Sequence, residues 1–251
     1  IFSKIWVQSV YVHHAMQSQP PVEFTDEIKS LFVEKKLQQA RQRLLDTLDN
    51  QWDGHCNLIA FTYLYAENRN AEDCTKAMEW LEKGVTANEV DAKVILGRLL
   101  VSGELGVQDF SRGMSLLEQA AQANVLMAVL TLMQIHKGGV EGRLDANPLL
   151  AQQYLKQAAD LGDPNSAYHL ALELERAAMP DFAQAFRYFD KAAQGGLSQA
   201  MHNVGVYYLH GKGVSKSPPL AMAYFTEAAK LGSPLSMLSL ALLYLDGVEV
   251  Q

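Results

Sequence analysis

His55 and Cys56 are neighbours in this chain. A thiol beside an imidazole is the pairing from which a cysteine nucleophile or a soft metal ligand can be made. On a helix, however, consecutive side chains diverge by about 100°, so the two do not converge on one target. The second cysteine, Cys74, opens the other helix of the same expected antiparallel hairpin. That places the two thiols roughly 15–20 Å apart, a helix length, against the roughly 7 Å that a disulfide spans. Both are expected to be free. The seven histidines are scattered, and there is no HExxH, GxSxG, SxxK, phosphate-binding loop or zinc-type cysteine spacing. No catalytic residue, metal ligand or cofactor is expected.

The bulk numbers narrow the classes further. The chain has 251 residues, 49% hydrophobic and 20% charged, with a formal net charge of −7. That is ordinary globular composition, and mild acidity lacks the basic face a nucleic-acid binder needs. No run reaches the roughly 18 apolar residues of a membrane helix. In residues 1–22, Gln8, Ser9, His13 and His14 interrupt any signal-like apolar core. The expectation there is an amphipathic helix packing on the first repeat; the alternative, for a chain that begins with Ile, is the remnant of a removed leader.

The chain also repeats itself. Near-copies stand at 119–124 (QAAQAN), 157–162 (QAADLG), 191–196 (KAAQGG) and 227–232 (EAAKLG). Taking the closing Gly or Asn as an anchor, copies end at Asn88, Asn124, Gly162, Gly196 and Gly232, spaced by 36, 38, 34 and 36 residues. Eleven before each anchor stand Ala77, Gly113, Ala151, Ala185 and Ala221. Large residues follow at −8 and −7, from Trp80-Leu81 to Tyr224-Phe225, and a small pair begins at −4, from Gly84-Val85 to Ala228-Ala229. Small, large, large, small at that spacing is the stripe of an amphipathic helix, here helix B.

Past each anchor a helix A follows. Its +4 column is Ala92, Ala128, Ser166, Ala200 and Ser236, and its +8 column is Leu96, Leu132, Leu170, Val204 and Leu240. The +9 column is Gly97, Met133, Ala171, Gly205 and Ala241, and the +12 column is Leu100, His136, Leu174, Tyr208 and Tyr244. Small residues inside a helix need a packing reason, and a closely approaching neighbour supplies it. Met133 and His136 break the pattern, so different local packing is expected there. The aromatic −8 column reads as core. The anchors read as left-handed helix C-terminal caps. Asp163-Pro164 and Ser233-Pro234 read as an N-cap followed by proline in the first turn. Six of the eight prolines sit near helix starts, which excludes a sheet-rich fold.

These columns resemble the Sel-1-like repeat family, a relative of the tetratricopeptide repeat. Ala200, Val204, Gly205, Tyr208, Gly211, Gly213 and Val214 carry the family's small-x-x-x-Leu-Gly-x-x-Tyr-x-x-Gly-x-Gly-Val run. Lys76-Ala77-Met78-Glu79-Trp80, with Asp73 ahead of it, matches the family's helix B start. The loop at 176–181 lacks the Gly-x-Gly-Val turn, a departure from the family. The resemblance implies an all-α fold, a right-handed α-α superhelix or solenoid of stacked antiparallel helix hairpins, with the A helices lining its concave side. It implies adaptors in multiprotein assemblies, many of them bacterial and acting in the envelope or in host interaction. A weak hydrolase of cell-wall or β-lactam compounds is a rival suggested within the family. The expected layout is a segment at 1–22, a degenerate hairpin at 23–53, and repeats over 54–251. The repeat region should hold about five hairpins and a terminal unpaired helix.

A site then follows from the register. If +4, +8 and +12 face neighbouring helices, +6, +10 and +13 point the other way. Those columns contain Val94, Leu130, Tyr168, His202 and Leu238, then Arg98, Gln134, Leu172, Val206 and Leu242, then Val101, Lys137, Glu175, Leu209 and Leu245. The stripe is more apolar than a solvated face, which marks an interface; helix curvature or a covering helix would bury the same residues. The expected partner is a peptide or helix of another protein held in the groove. Its contacts are Arg98, Gln134, Lys137, Tyr168, Leu172, Glu175, His202, Val206 and Leu209. No nucleic acid and no membrane insertion are expected; end-to-end self-association is an alternative. Free thiols lean towards the cytoplasm, and a removed leader would instead mean the periplasm or secretion.

Overall fold

The computed structural model describes residues 30–32, 36–48, 55–66 and 68–245. The expectation for 1–22 falls outside them, as do residues 23–29, 33–35 and 49–53 of the hairpin expected at 23–53. Among the described residues lie α1 (Leu37–Leu48), α2 (Cys56–Leu64), α3 (Ala71–Thr86), α4 (Val90–Ser102) and α5 (Phe110–Gln122). There follow α6 (Leu126–Gly138), α7 (Pro148–Asp160), α8 (Pro164–Arg176), α9 (Phe182–Gln194), α10 (Ser198–His210), α11 (Pro218–Lys230) and α12 (Pro234–Leu245). A single bridge between Val140 and Leu144 is the one extended pairing among the described residues. The chain forms two compact units, Ile1–Ala123 and Asn124–Gln251. Hairpins α2–α3 and α4–α5 build the first; α6–α7, α8–α9 and α10–α11 build the second, with α12 packed on α11.

The helices begin and end where the local chemistry says. Asn70, Asp109, Asn147, Asp163 and Asp181 each accept a backbone N–H of the first turn that follows them. Pro148, Pro164, Pro218 and Pro234 open α7, α8, α11 and α12, where a missing N–H costs nothing. All five anchors are left-handed, with φ of 62° at Asn88, 60° at Asn124, and 95°, 86° and 82° at Gly162, Gly196 and Gly232. The residue after the anchor donates back to the first residue of the small pair: Glu89 to Gly84, Asp163 to Ala158, Leu197 to Ala192 and Ser233 to Ala228, at 2.8–3.2 Å.

The A-to-B loops differ in length yet close on one bond. The N-cap N–H of each B helix donates to the carbonyl of the +12 residue: Asp109 to Leu100, Asn147 to His136, Asp181 to Leu174 and Ser217 to Tyr208. The loop at 176–181, which lacks the glycine turn, makes this bond at 3.3 Å and so reaches the same closure. His136 also conforms, contrary to the expectation of different packing. Its ring stacks on Tyr154 at 5.7 Å and 11°, as Tyr208 stacks on Tyr224 at 5.8 Å and 24°.

The core follows the columns. Leu81, Leu117, Phe189 and Phe225 at −7, and Leu96, Leu132 and Val204 at +8, are fully buried. Each such side chain stabilises its unit by about 1.5–3 kcal/mol relative to exposure. The small columns set the spacing. A Cβ added to Gly205 would lie 2.6 Å from a ring carbon of Phe225, and one on Gly97 would lie 2.9 Å from the Gly113 carbonyl oxygen. In the first unit the Glu89 carboxylate also receives the N–H groups of Cys56 and Asn57 at 3.1 and 3.2 Å. A charge thus sits at the positive end of α2.

The −8 column is core only in part, contrary to expectation: Leu116 and Tyr188 are buried, while Trp80, Tyr154 and Tyr224 are half-buried. The Tyr188 hydroxyl donates to Asp160 at 3.0 Å, and that of Tyr224 to Asp190 at 3.1 Å. Each bond joins one B helix to the B helix of the preceding hairpin. Burial first, and the facing aspartate second, push both phenols up to about 12. Both shifts are upward, so these tyrosines support the fold fully below the unfolded value of about 10. That support is lost as pH rises towards 12.

Two outcomes are expected. Gly205→Leu should destabilise the protein by at least ~1–3 kcal/mol through overpacking against Phe225, measured by denaturant unfolding; an unchanged midpoint would mean that α10 and α11 do not cross there. In an absorbance titration at alkaline pH, Asp160→Asn should lower the pH at which Tyr188 ionises without returning it to the ordinary value, because burial remains. An unaltered titration curve would remove the aspartate from the account.

Candidate functional site

The A helices present the expected stripe, and the structure divides it. In the first unit Val94 and Val101 are buried and belong to the core. Arg98 is half-buried beside Tyr65, whose phenol burial pushes up while the guanidinium opposes the shift. That part of the stripe is packing.

The second unit differs. On α6, Gln134 and Lys137 are exposed and Leu130 is half-buried. On α8, Tyr168 and Leu172 are half-buried, resting on the core around Ala171, Phe189 and Tyr207. The Tyr168 ring meets Phe189 edge-on at 5.7 Å. One turn on, Glu175 pairs with Lys212 at 3.4 Å, and the Lys212 ammonium lies 5.4 Å from the Phe182 ring centre. Tyr207, beneath them, is buried, and its hydroxyl has no hydrogen bond of good geometry. Burial and the nearby Glu175 carboxylate push that phenol up.

On α10, His202, Val206 and Leu209 are half-buried. Val206 and Leu209 rest on a cluster that includes Phe225 and Leu243. His202 Nδ1 stands 3.0 Å from the Ser236 hydroxyl, and its ring lies 5.3 Å from that of Phe225. On α12 the stripe opens out: Leu238, Leu242 and Leu245 are 59%, 53% and 83% exposed.

The selected residues of the second unit therefore fall into a Tyr168–Leu172–Glu175 row on α8 and a His202–Val206–Leu209 row on α10. Each is anchored underneath and open above. Both rows combine half-buried apolar side chains with a few fixed polar groups. Two pairings escaped the sequence reading. Glu175 and Lys212 are 37 residues apart, and His202 and Ser236 are 34 apart. The +6 and +4 columns point to different sides of a single helix, so their meeting across two helices has no signal in the repeat.

The imidazole–hydroxyl pair is of the kind that activates a serine. Ser236, however, is 0% exposed, so no substrate carbonyl reaches its oxygen. His55 and Cys56 are both buried, and Cys56 and Cys74 are thiols rather than halves of a disulfide. Among the described residues, no three His, Cys, Asp or Glu side chains gather as a metal site, and no helix is long and apolar enough to cross a membrane.

Known proteins share these features. A family model described as the Sel1 repeat matches residues 59–88, 90–125, 127–163, 164–197 and 198–233. The chitin synthase regulator SKT5 of Saccharomyces cerevisiae is 30% identical over 61% of this chain and 23% of its own length. The DAP3-binding cell death enhancer 1 of Rattus norvegicus is 26% identical over 70% of this chain and 34% of its own. This chain thus spans about a quarter to a third of either relative. A Sel1 repeat protein from Oxalobacter formigenes superposes with a TM-score of 0.60 at 24% identity, covering 90% of this chain and 92% of that one. The protective antigen c5321 of uropathogenic Escherichia coli, which displays the same fold, gives 0.64 at 16% identity over 97% and 49%. Relatives from a yeast and a rat beside bacterial structures mean that the kinship does not single out bacteria. Five matched repeats, left-handed anchors after every B helix and hairpins crossing at small residues lead to one assignment: the chain belongs to the Sel1 repeat family.

Proposed function

We propose that this chain is a protein-interaction scaffold with no catalytic step of its own. Its second unit holds a helix or extended peptide of another protein along the rows of α8 and α10. The observation that carries this reading is the half-open apolar stripe of consecutive A helices, where side chains fixed from below keep one side to solvent. Contiguous apolar surface of this kind marks partner sites. Tyr168, Leu172, His202, Val206 and Leu209 supply apolar contact. Gln134 and Lys137, exposed on α6, supply polar contact at one end, and Glu175, held by Lys212, presents a fixed carboxylate. Arg98, in the first unit, would be a separate contact. A groove of this type binds in the micromolar range, about −8 kcal/mol.

The relatives' names fit an adaptor: one records binding to another protein, DAP3, and the other records regulation of a synthase. A hydrolase needs an accessible nucleophile with a base in reach, and the buried Ser236 argues against one here.

The test pairs two surfaces. With a partner recovered by cross-linking and measured by calorimetry, Lys137→Glu combined with Leu172→Lys should weaken binding at least about tenfold, or ~1.4 kcal/mol. Arg187→Glu, on the exposed side of α9, should leave binding unchanged. Equal weakening by both, or by neither in proteins of unaltered melting temperature, would exclude the α8–α10 rows as the site.

A further inference from the structure

The contact between α10 and the start of α12 contains a titratable group that neither the repeat pattern nor the scaffold role calls for. Ser233 and Ser236 form the first turn of α12: Ser233 accepts the Ser236 N–H at 3.4 Å and the Ser236 hydroxyl at 3.1 Å. With its proton given to Ser233, the Ser236 oxygen is left to accept from His202 Nδ1 at 3.0 Å. The neutral imidazole thus carries its proton on Nδ1, and a second proton would go to Nε2. The three groups form a relay linking one A helix to the next.

We propose that His202 is a proton-operated latch, which holds the first turn of α12 against α10 while the imidazole is neutral and releases it when the ring takes a second proton. Two physical effects point the same way. The ring is half-buried against Phe225, where a cation loses hydration. It also abuts a helix N-terminus, the positive end of the α12 dipole, which repels an imidazolium.

The surroundings offer little to offset this. Residues Pro234–Leu245 of α12 contain no charged side chain. On α11, Glu227 and Lys230 pair with each other at 2.6 Å, and the phenol of Tyr224 is bound to Asp190 of α9. On α9, Lys191 pairs with Asp160, and Arg187 is exposed. On α8, Glu173 is bound by Gln152 and Glu175 by Lys212, while His169 lies exposed beside Tyr168. The Phe225 ring favours a cation, as does the Ser236 oxygen, which accepts from Nδ1–H in both protonation states; the loss of hydration on burial outweighs them. Burial is accordingly the cause that lowers the His202 pKa.

The sign follows. A base whose folded value is depressed supports the closed state above its unfolded value of about 6.5. That support disappears as pH falls through the lowered folded value. Neutral solution closes the latch and mild acid opens it.

The experiment is hydrogen exchange of the α12 amides on the whole chain, corrected for intrinsic rates and referenced to the α8 amides. Going from about pH 7.5 to about pH 5.5, α12 exchange should accelerate at least about fivefold relative to α8. His202→Gln, which cannot titrate, should show no such change at either level of protection. An NMR titration of the unmodified protein supplies a readout free of substitution: the Ser233 and Ser236 amides should shift with the same midpoint as the His202 ring. Overturning results are an α12-to-α8 ratio that does not change with pH, a His202→Gln protein with the parental pH dependence, or serine amides that ignore the His202 midpoint.

Discussion

Everything in this fold depends on how closely a helix lets its neighbour approach. At Gly205 the backbone of α10 admits the ring of Phe225, and at Gly97 and Gly113 two backbones nearly touch. A methyl group more at any of these positions would force the axes apart. The large −7 residues would then lose the surfaces they bury against, because packed interiors close around missing or added atoms only in part. The aromatic and leucine columns therefore stabilise each unit only because the small columns let them. Glycine's poor helix propensity is tolerated here for that reason.

A second constraint isolates that packing from the loops. The carbonyl of the +12 residue receives the N-cap N–H of the following B helix in four hairpins, whether the connection is long or short. Since helix B starts from a bond to helix A, loop residues beyond it can vary without moving the crossing. This is why the loop at 176–181 reaches ordinary closure without its glycines. The Tyr–Asp bonds at Tyr188 and Tyr224 act in the other direction, between successive hairpins. Stacks of this kind owe their stability to such nearest-neighbour terms.

The surface the stack exposes inherits this order. Rows on α8 and α10 are fixed from below by the core and above are left to solvent, so a partner of the kind proposed would meet side chains that have already lost much of their rotamer freedom. Less entropy then remains to be lost on binding. The polar groups among them are similarly constrained. Glu175 is held by Lys212 and His202 by Ser236, so each presents one geometry. A latch at His202 would make the end of that surface responsive to pH while the rest of the stack stays shut.

How much of this could be read from the residues alone depends on range. Period and caps were legible: the spacing of Ala77, Leu81 and Gly84 defines a helix stripe, and Asn88 or Gly162 ends it, because helical geometry and left-handed φ are properties of a few consecutive residues. The column assignments for the core were legible for the same reason, and the family resemblance rests on them. His136 was misread, since a pattern of residue types does not reveal that an imidazole can take the stacking place of a phenol. The candidate site was legible only as a stripe. That Val94 and Val101 are core while Leu238 and Leu245 are open was decided by tertiary structure, as was the pairing of Glu175 with Lys212 and His202 with Ser236. Those facts depend on the distance between different helices, and helix spacing is set jointly by side chains 30 or more residues apart rather than by any local run.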